Sequence, residues 1–116
     1  MSDAVAYKVL TADQMADLEQ NGRFEGAPID LADGYIHLST AAQLTETVDK
    51  HFAGQTGLHV AAVDLDALGD SIRWEASRGG QLFPHLYDGL LTLETILAYG
   101  PLTRDPDGSV QLPVSG

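Results

Sequence analysis

Short segments with alternating apolar and polar residues predict several β-strands. Residues 4–10 and 71–76 show this alternation, whereas residues 58–65 are mostly apolar on both faces. Alternation is typical of a strand with one buried face, and a run that is apolar on both sides is typical of a strand inside a sheet. We therefore predict strands at these three segments and place residues 58–65 at the centre of a sheet.

Other segments are predicted to be extended on weaker patterns. Pro84 disfavours helical backbone at the residue before it, so residues 81–87 are predicted to be extended. Residues 90–97 are apolar with interleaved threonines, and this β-branched content favours a strand. In the first half of the chain, we predict a loop at residues 23–28 and a short extended piece at residues 29–32.

Two helices are predicted in the N-terminal half. Thr11 precedes the first helix and Ser39 or Thr40 the second, and a Gln three residues after each threonine gives capping-box spacing. The first helix ends at Asn21-Gly22, and the second covers residues 41–52. Apolar residues at helical spacing predict a buried face on each helix: Met15 and Leu18 on the first, and Leu44, Val48 and Phe52 on the second. The elements together predict an α+β fold with a mixed, mainly antiparallel sheet.

Length and charge restrict the classes of function. The chain has 116 residues, so we predict a single domain over residues 1–116, with a hairpin or tail at residues 103–116. With 17 acidic residues against 6 basic ones, the formal charge is −11. This negative field repels phosphate backbones, so we do not expect the protein to bind nucleic acid.

Cysteine usage and the N-terminal sequence bear on the location of the protein. The chain has no cysteine, which excludes disulfides and thiolate metal sites and agrees with a reducing cytosol. No basic segment followed by an apolar run begins the chain, so no signal peptide is expected. No apolar stretch approaches the roughly 20 residues of a membrane helix. We therefore predict a cytoplasmic protein that does not enter a membrane, and we leave its oligomeric state open.

Residues 33–40 are the first candidate for a binding site. In a strand, Tyr35, His37 and Ser39 share one face, while Ile36 and Leu38 share the other. The aliphatic pair is predicted to face the core. The opposite face then carries a phenol, an imidazole and a hydroxyl to the start of the second helix, where an anion or a ribose can be held.

The second candidate is a constellation of polar and aromatic side chains from separate segments. Arg73 is suited to bind an anion, His37 a hydroxyl, and Phe83 or Tyr87 a flat ring. Glu75 is suited to act as a base or to stabilise a developing cation. The predicted site residues are His37, Ser39, Thr40, Arg73, Glu75, Phe83, His85 and Tyr87.

Structural interpretations compete with this one. Arg73 and Glu75 share a strand face and can pair with each other, which would leave Trp74 in the core. Phe83 and Tyr87 can be core residues, and His85 and Ser39 can have only hydrogen-bonding and capping roles. Two other kinds of site are disfavoured. The four histidines lack the spacing of a zinc site, so no metal is expected, and no G-x-S-x-G elbow makes Ser39 a nucleophile.

Three sequence blocks carry a resemblance to a known family. They are Asp33-Gly34-Tyr35-Ile36-His37-Leu38-Ser39-Thr40, Arg73-Trp74-Glu75 and Phe83-Pro84-His85-Leu86-Tyr87. Over residues 5–102 or so, the chain resembles the bacterial family called domain of unknown function 952. That family is grouped by fold with the ADP-ribosyltransferase-like proteins, whose split, mixed sheet binds NAD in a cleft. The resemblance therefore implies an ADP-ribosyltransferase-like fold with a split sheet.

The resemblance also implies a ligand and two roles. His37 would lie against the ribose of NAD, and Glu75 would be the catalytic carboxylate. We therefore expect a polar pocket around His37, Arg73 and His85 that binds NAD or an ADP-ribose-like ligand. If the protein is an enzyme, we expect glycosyl or ADP-ribosyl transfer. The alternative is a non-catalytic module that binds a small ligand or another protein.

Overall fold

The computed structural model describes residues 4–76, 80–87 and 91–113, which form antiparallel sheets and short helices. The elements follow in the order β1 (Val5–Leu10), α1 (Ala12–Asn21), β2 (Arg23–Phe24), α2 (Pro28–Asp33), β3 (Ile36–His37), α3 (Ala41–His51), β4 (His59–Asp64), α4 (Leu65–Leu68), β5 (Ile72–Ala76), β6 (Leu82–Leu86), β7 (Leu91–Thr92) and β8 (Ile96–Pro101). The predicted α+β class is therefore confirmed.

The described strands form three sheets. Strands β1, β4 and β8 form one sheet, β3, β6 and β5 a second, and β2 with β7 a third. Every ladder within the described ranges is antiparallel, so the predicted parallel component of a mixed sheet is not seen there. As predicted from its two apolar faces, β4 lies between two neighbours, and Val60 to Val63 are buried.

The two larger sheets meet at the segment that follows β3. The backbone N–H of Tyr7 in β1 donates to the carbonyl of Ser39 over 2.7 Å, and the N–H of Ser39 donates back over 2.9 Å. One residue earlier, the N–H of Leu38 donates to the carbonyl of Pro84 in β6 over 3.1 Å. The same short segment thus contacts both sheets, and the polar side chains around His37 lie where the sheets diverge.

The residues predicted to face inward are buried in two clusters. Ile36 and Leu38 belong to the first cluster, as the strand alternation predicts. The helix residues also follow the prediction: Met15 and Leu18 lie in the first cluster, and Leu44, Val48 and the partly buried Phe52 in the second. Burial of this apolar surface fixes the helices on the sheets, since each such side chain contributes roughly 1.5–3 kcal/mol.

The prediction of two helices is wrong, because the described residues form two further short helices, α2 and α4. Residues predicted as an extended piece form α2, which Pro28 begins and Gly34 ends with a positive φ of 85°. The carboxylate of Asp30 accepts the N–H of Ala27 over 2.8 Å and so caps the first turn. Likewise, Asp64 accepts N–H groups at the start of α4. Six and four residues are too few to show an apolar stripe.

The chain after residue 90 also departs from the prediction. A single strand was expected over residues 90–97. Residue 90 lies outside the described part, and the rest divides into β7, a 3₁₀ turn at Leu93–Thr95 and β8. The hydroxyl of Thr95 donates to the carbonyl of Thr92 and closes that turn. The predicted loop at residues 23–28 includes β2, because β7 supplies a pairing partner for Arg23–Phe24.

The C-terminal segment turns back on itself. A bridge joins Arg104 to Val110, and the N–H of Gly108 donates to the carbonyl of Asp105. A hairpin is therefore present in the predicted tail, whose residues 114–116 lie outside the described part. Among the described residues, no helix has the length and apolar character needed to cross a membrane.

Candidate functional site

A cavity of about 520 Å³ opens where the two larger sheets diverge. Its walls come from β1, the starts of α1 and α2, residues 33–39, α3 with the residues after it, and β6. Cavities of this size hold small molecules and cofactors. Four of the predicted site residues line it: His37, Ser39, Phe83 and His85. The other four, Thr40, Arg73, Glu75 and Tyr87, are not part of its lining.

The antiparallel register places three candidate side chains in one row. His37 of β3 pairs with His85 of β6, and His85 pairs with Arg73 of β5. Residues directly opposite each other in antiparallel strands project to the same side of a sheet. Two positions along, Glu75 pairs with Phe83 on the same face. The structure therefore joins the cavity to the face that carries Arg73 and Glu75.

Tyr35 is the aromatic centre of this face, although it was not among the predicted site residues. Its ring stacks on His85 with centroids 4.2 Å apart and planes tilted by 20°. The ring of His37 lies 4.7 Å away and that of Tyr87 5.0 Å away. The guanidinium carbon of Arg73 lies 4.7 Å from the centroid of Tyr87. Its position could be predicted from the strand alternation, which places Tyr35 on the same face as His37.

Glu75 receives two hydrogen bonds on one carboxylate oxygen. Tyr87 donates its hydroxyl to Oε1 over 2.6 Å, and Nδ1 of His85 lies 2.8 Å from the same atom. The Tyr87 hydrogen bond, then that of His85, lowers the pKa of Glu75, and the charge of Arg73 acts in the same direction. The Glu75 contact in turn raises the pKa of Tyr87 to about 12. Glu75 is therefore an ionised acceptor, and Tyr87 remains a phenol donor.

The structural interpretation, in which Arg73 and Glu75 only pair with each other, accounts for these contacts only in part. Trp74 does pack against the core, as that interpretation requires. Arg73 lies against Tyr87, however, and Glu75 is held by His85 and Tyr87. The side chain of Glu75 keeps 40% of its surface exposed, so the carboxylate remains accessible.

Asp30 is the buried centre of a charge network behind the cavity. Its side chain is 1% exposed, and one oxygen accepts from Nζ of Lys8 over 2.9 Å and from the N–H of Ala27. The other oxygen accepts the N–H of His37 over 3.0 Å and lies 2.6 Å from Nδ1 of that ring. Burial would raise the pKa of Asp30, but the hydrogen bonds of His37 and the charge of Lys8 outweigh it and hold the pKa well below its usual range.

Two carboxylates orient His37. Besides the Asp30 contact at Nδ1, Nε2 lies 3.0 Å from Oδ2 of the partly exposed Asp33. Nζ of Lys8 also donates to the carbonyl of His37 over 3.1 Å. Burial lowers the pKa of Lys8, whereas the neighbouring Asp30 carboxylate opposes this change. The ring of His37 is therefore fixed, and Asp33 is its contact that faces solvent.

Lys8 and Asp30 were missed as site residues by the sequence reasoning. Lys8 shares its strand face with the apolar Ala6 and Leu10, and a lysine at such a position was the one signal in its favour. Asp30 lies three residues after Ala27, the N-cap of α2, and this spacing is typical of a residue that caps a helix. Their contact spans 22 residues of sequence, and no local pattern predicts it.

The hydroxyls of Ser39 and Thr40 have structural partners. Oγ of Ser39 lies 2.9 Å from Oγ1 of Thr47, so this hydroxyl joins the segment after β3 to α3. Thr40 is the N-cap of α3, and its Oγ1 accepts the N–H of Gln43. Across residues 4–76, 80–87 and 91–113, no group of three or more His, Asp or Glu side chains is arranged to hold a metal ion.

Comparison with known proteins gives the family. The chain matches the family described as protein of unknown function (DUF952) over residues 9–99, and it belongs to that family. Crystal structures of protein CC0527 from Caulobacter crescentus and of a double mutant of CC0527 share 44% sequence identity with the chain, with a TM-score of 0.83. Each alignment covers 93% of this chain and 94% of that one.

A solution NMR structure of CC0527 gives a TM-score of 0.79 at the same identity and covers 95% of this chain and 94% of that one. No match is found among curated proteins. The predicted membership of the DUF952 family is thus confirmed. The ADP-ribosyltransferase-like grouping and the roles of the site residues stay predictions.

The buried network predicts that Asp30 is needed for stability. Replacing it in Asp30→Asn leaves Lys8 buried beside a neutral amide, and breaking a buried pair in this way costs about 3–5 kcal/mol. We expect a loss of this size in the free energy of unfolding, measured with urea. The control is Asp33→Asn, whose partly exposed contact is worth less than about 1 kcal/mol. Equal stability of the two variants would contradict the central role of Asp30.

The hydrogen bonds to Glu75 predict an acid-sensitive contribution to stability. The folded protein holds the pKa of Glu75 below its ordinary value of 4.5, so the contribution is present above that value. It is lost as the pH falls through the lowered pKa, because the carboxylate is then protonated in both states. The free energies of unfolding of the wild type and of Glu75→Gln, measured with urea, should differ by a constant amount above about pH 6 and by less in acid. A difference that persists unchanged to about pH 3 would show that the pKa is not lowered.

Proposed function

We propose that the cavity and the adjoining sheet face bind a small ligand made of a flat ring, a hydroxylated sugar and an anionic group. NAD and ADP-ribose have this chemistry. The observation that carries the proposal is the row of His37, His85 and Arg73 across three strands, with the two histidines in the cavity wall. Such a row offers separate groups to a sugar and to an anion at a fixed spacing.

Each part of the ligand has a candidate partner. The aromatic rings of Tyr35 and Phe83 line the cavity and suit a flat ring. A sugar hydroxyl can replace Asp33 at Nε2 of His37, because Asp33 is the exposed partner of that ring. Arg73 is an exposed residue outside the cavity lining, at the end of the row, and its guanidinium suits a phosphate.

The resemblance to ADP-ribosyltransferase-like proteins supports the same ligand class. It implies a histidine against the ribose and a carboxylate on a later strand, and His37 and Glu75 occupy β3 and β5 of one sheet. Fold analogy alone does not assign an activity. Binding is therefore the function that we propose first.

Cleavage of a glycosidic bond is a second candidate, and the state of Glu75 favours it. The carboxylate is ionised and accessible, and both contacts described above use Oε1. A fixed negative charge near the anomeric carbon stabilises the positive charge that develops there as the bond breaks. Glu75 lies outside the cavity lining, however, which favours the non-catalytic alternative.

Binding of nicotinamide mononucleotide and nicotinamide riboside tests the first proposal. The two ligands differ by one phosphate, so Arg73→Gln should weaken binding of the nucleotide about 10- to 150-fold and leave binding of the riboside unchanged, since a charge-assisted hydrogen bond is worth roughly 1.5–3 kcal/mol. Calorimetry measures both affinities. Arg23→Gln removes an exposed arginine from another sheet and is the matched control. Absence of binding of NAD, ADP-ribose and both nicotinamide compounds would overturn the proposal.

Release of nicotinamide from NAD tests the second candidate. If Glu75 stabilises the developing charge, Glu75→Gln should lower the rate by about 100-fold or more. Chromatography measures the free nicotinamide, and Glu94→Gln serves as the control, because Glu94 is exposed on the 3₁₀ turn before β8. NAD that binds to the wild type and is not cleaved would identify the protein as a non-catalytic binding module.

A further inference from the structure

His85 is a buried histidine at the cavity wall, and one of its ring nitrogens has no hydrogen-bond partner in the part of the chain that the structure describes. Its side chain is 4% exposed, and Nδ1 is 2.8 Å from Oε1 of Glu75. No hydrogen-bond partner of Nε2 is present among the residues that the structure describes. Buried polar atoms are almost always paired, so a buried nitrogen of this kind calls for a partner, and the adjoining cavity has room for one.

The contact with Glu75 determines which nitrogen of His85 carries the proton. An ionised carboxylate is an acceptor only, so Nδ1 must donate to it. In the neutral ring, Nε2 then has a lone pair and no proton. The phenol of Tyr87 donates to the same carboxylate oxygen, which fixes the carboxylate in the orientation that His85 requires.

The ring of His85 is also held against rotation. Tyr35 stacks on it at 4.2 Å, and His37 lies with its centroid 5.5 Å away at an angle of 67°. Both of these neighbours line the same cavity. Packing on the face of the ring and a hydrogen bond on one edge leave the Nε2 edge as the part that can meet a ligand.

We infer that Glu75 is a positioning residue that holds His85 in the Nδ1–H tautomer, and that Nε2 of His85 accepts a hydrogen bond from a hydroxyl of the ligand in the cavity. The second part rests on the proposed function, because it takes the ribosyl unit as the source of the hydroxyl. The inference distinguishes the two histidines. His37 has carboxylates at both nitrogens, whereas His85 has one at Nδ1.

Nitrogen NMR of the ligand-free protein tests the tautomer directly. In ¹⁵N-labelled wild type, long-range proton–nitrogen correlations should show His85 protonated at Nδ1 and not at Nε2. In Glu75→Ala the acceptor is lost, and the Nε2–H form should become populated. Glu94→Ala should leave the spectrum of His85 unchanged, and His59, on β4 in a different sheet, is an internal reference in every sample.

Addition of nicotinamide riboside tests the ligand contact. The Nε2 resonance of His85 should move toward the position of a hydrogen-bonded nitrogen. His85→Asn keeps a donor toward Glu75 but has no acceptor at the Nε2 position. It should therefore lower the affinity for the riboside about tenfold, which is the usual effect of one lost hydrogen bond to a ligand. Thermal unfolding of His85→Asn without ligand checks that the variant is folded.

The outcomes separate this inference from the proposed function. Wild-type His85 in the Nε2–H form, or a tautomer that Glu75→Ala leaves unchanged, would overturn the positioning role whatever the ligand. Riboside that binds without moving the Nε2 resonance would overturn the ligand contact alone. Failure of the riboside to bind at all would overturn the ligand contact together with the proposed function, and the tautomer result would still stand.

Discussion

The buried carboxylate of Asp30 is the contact on which the site depends. It collects donors from Lys8 on β1, from Ala27 at the start of α2 and from His37 on β3. A charge in the interior is tolerated when it is paired and hydrogen-bonded, and here four donors meet the two oxygens. The network therefore ties three separate parts of the fold together at the back of the cavity, and it holds the ring of His37 at the front.

The sheets bring the remaining groups together by register. Strands β3, β6 and β5 are antiparallel neighbours, so His37, His85 and Arg73 fall in one row although they are separated along the chain. Because β6 is the central strand, His85 is buried between the other two and the stacked Tyr35. A change of one residue in either register would send these side chains to the opposite face and remove the site.

The two histidines have different chemical surroundings in spite of their proximity. His37 is contacted by Asp30 and Asp33, while His85 is contacted by Glu75 through one nitrogen. A histidine with carboxylates on both sides is suited to hold a fixed position. A histidine with one carboxylate is suited to present its other nitrogen to a ligand. Membership of the DUF952 family does not by itself decide between these roles, and the assignment rests on the carboxylate contacts of each histidine.

The sequence by itself determined the local features. It predicted the capping boxes at Thr11 and Thr40, the central strand and the inward direction of Ile36 and Leu38, because caps and alternation depend on residues a few positions apart. It did not predict α2, which is too short for a periodic pattern, or the contacts of Asp30 with Lys8 and of Glu75 with His85. Those contacts join residues 22 and 10 positions apart, so only the tertiary structure, through strand pairing and burial, decided which carboxylate holds which partner.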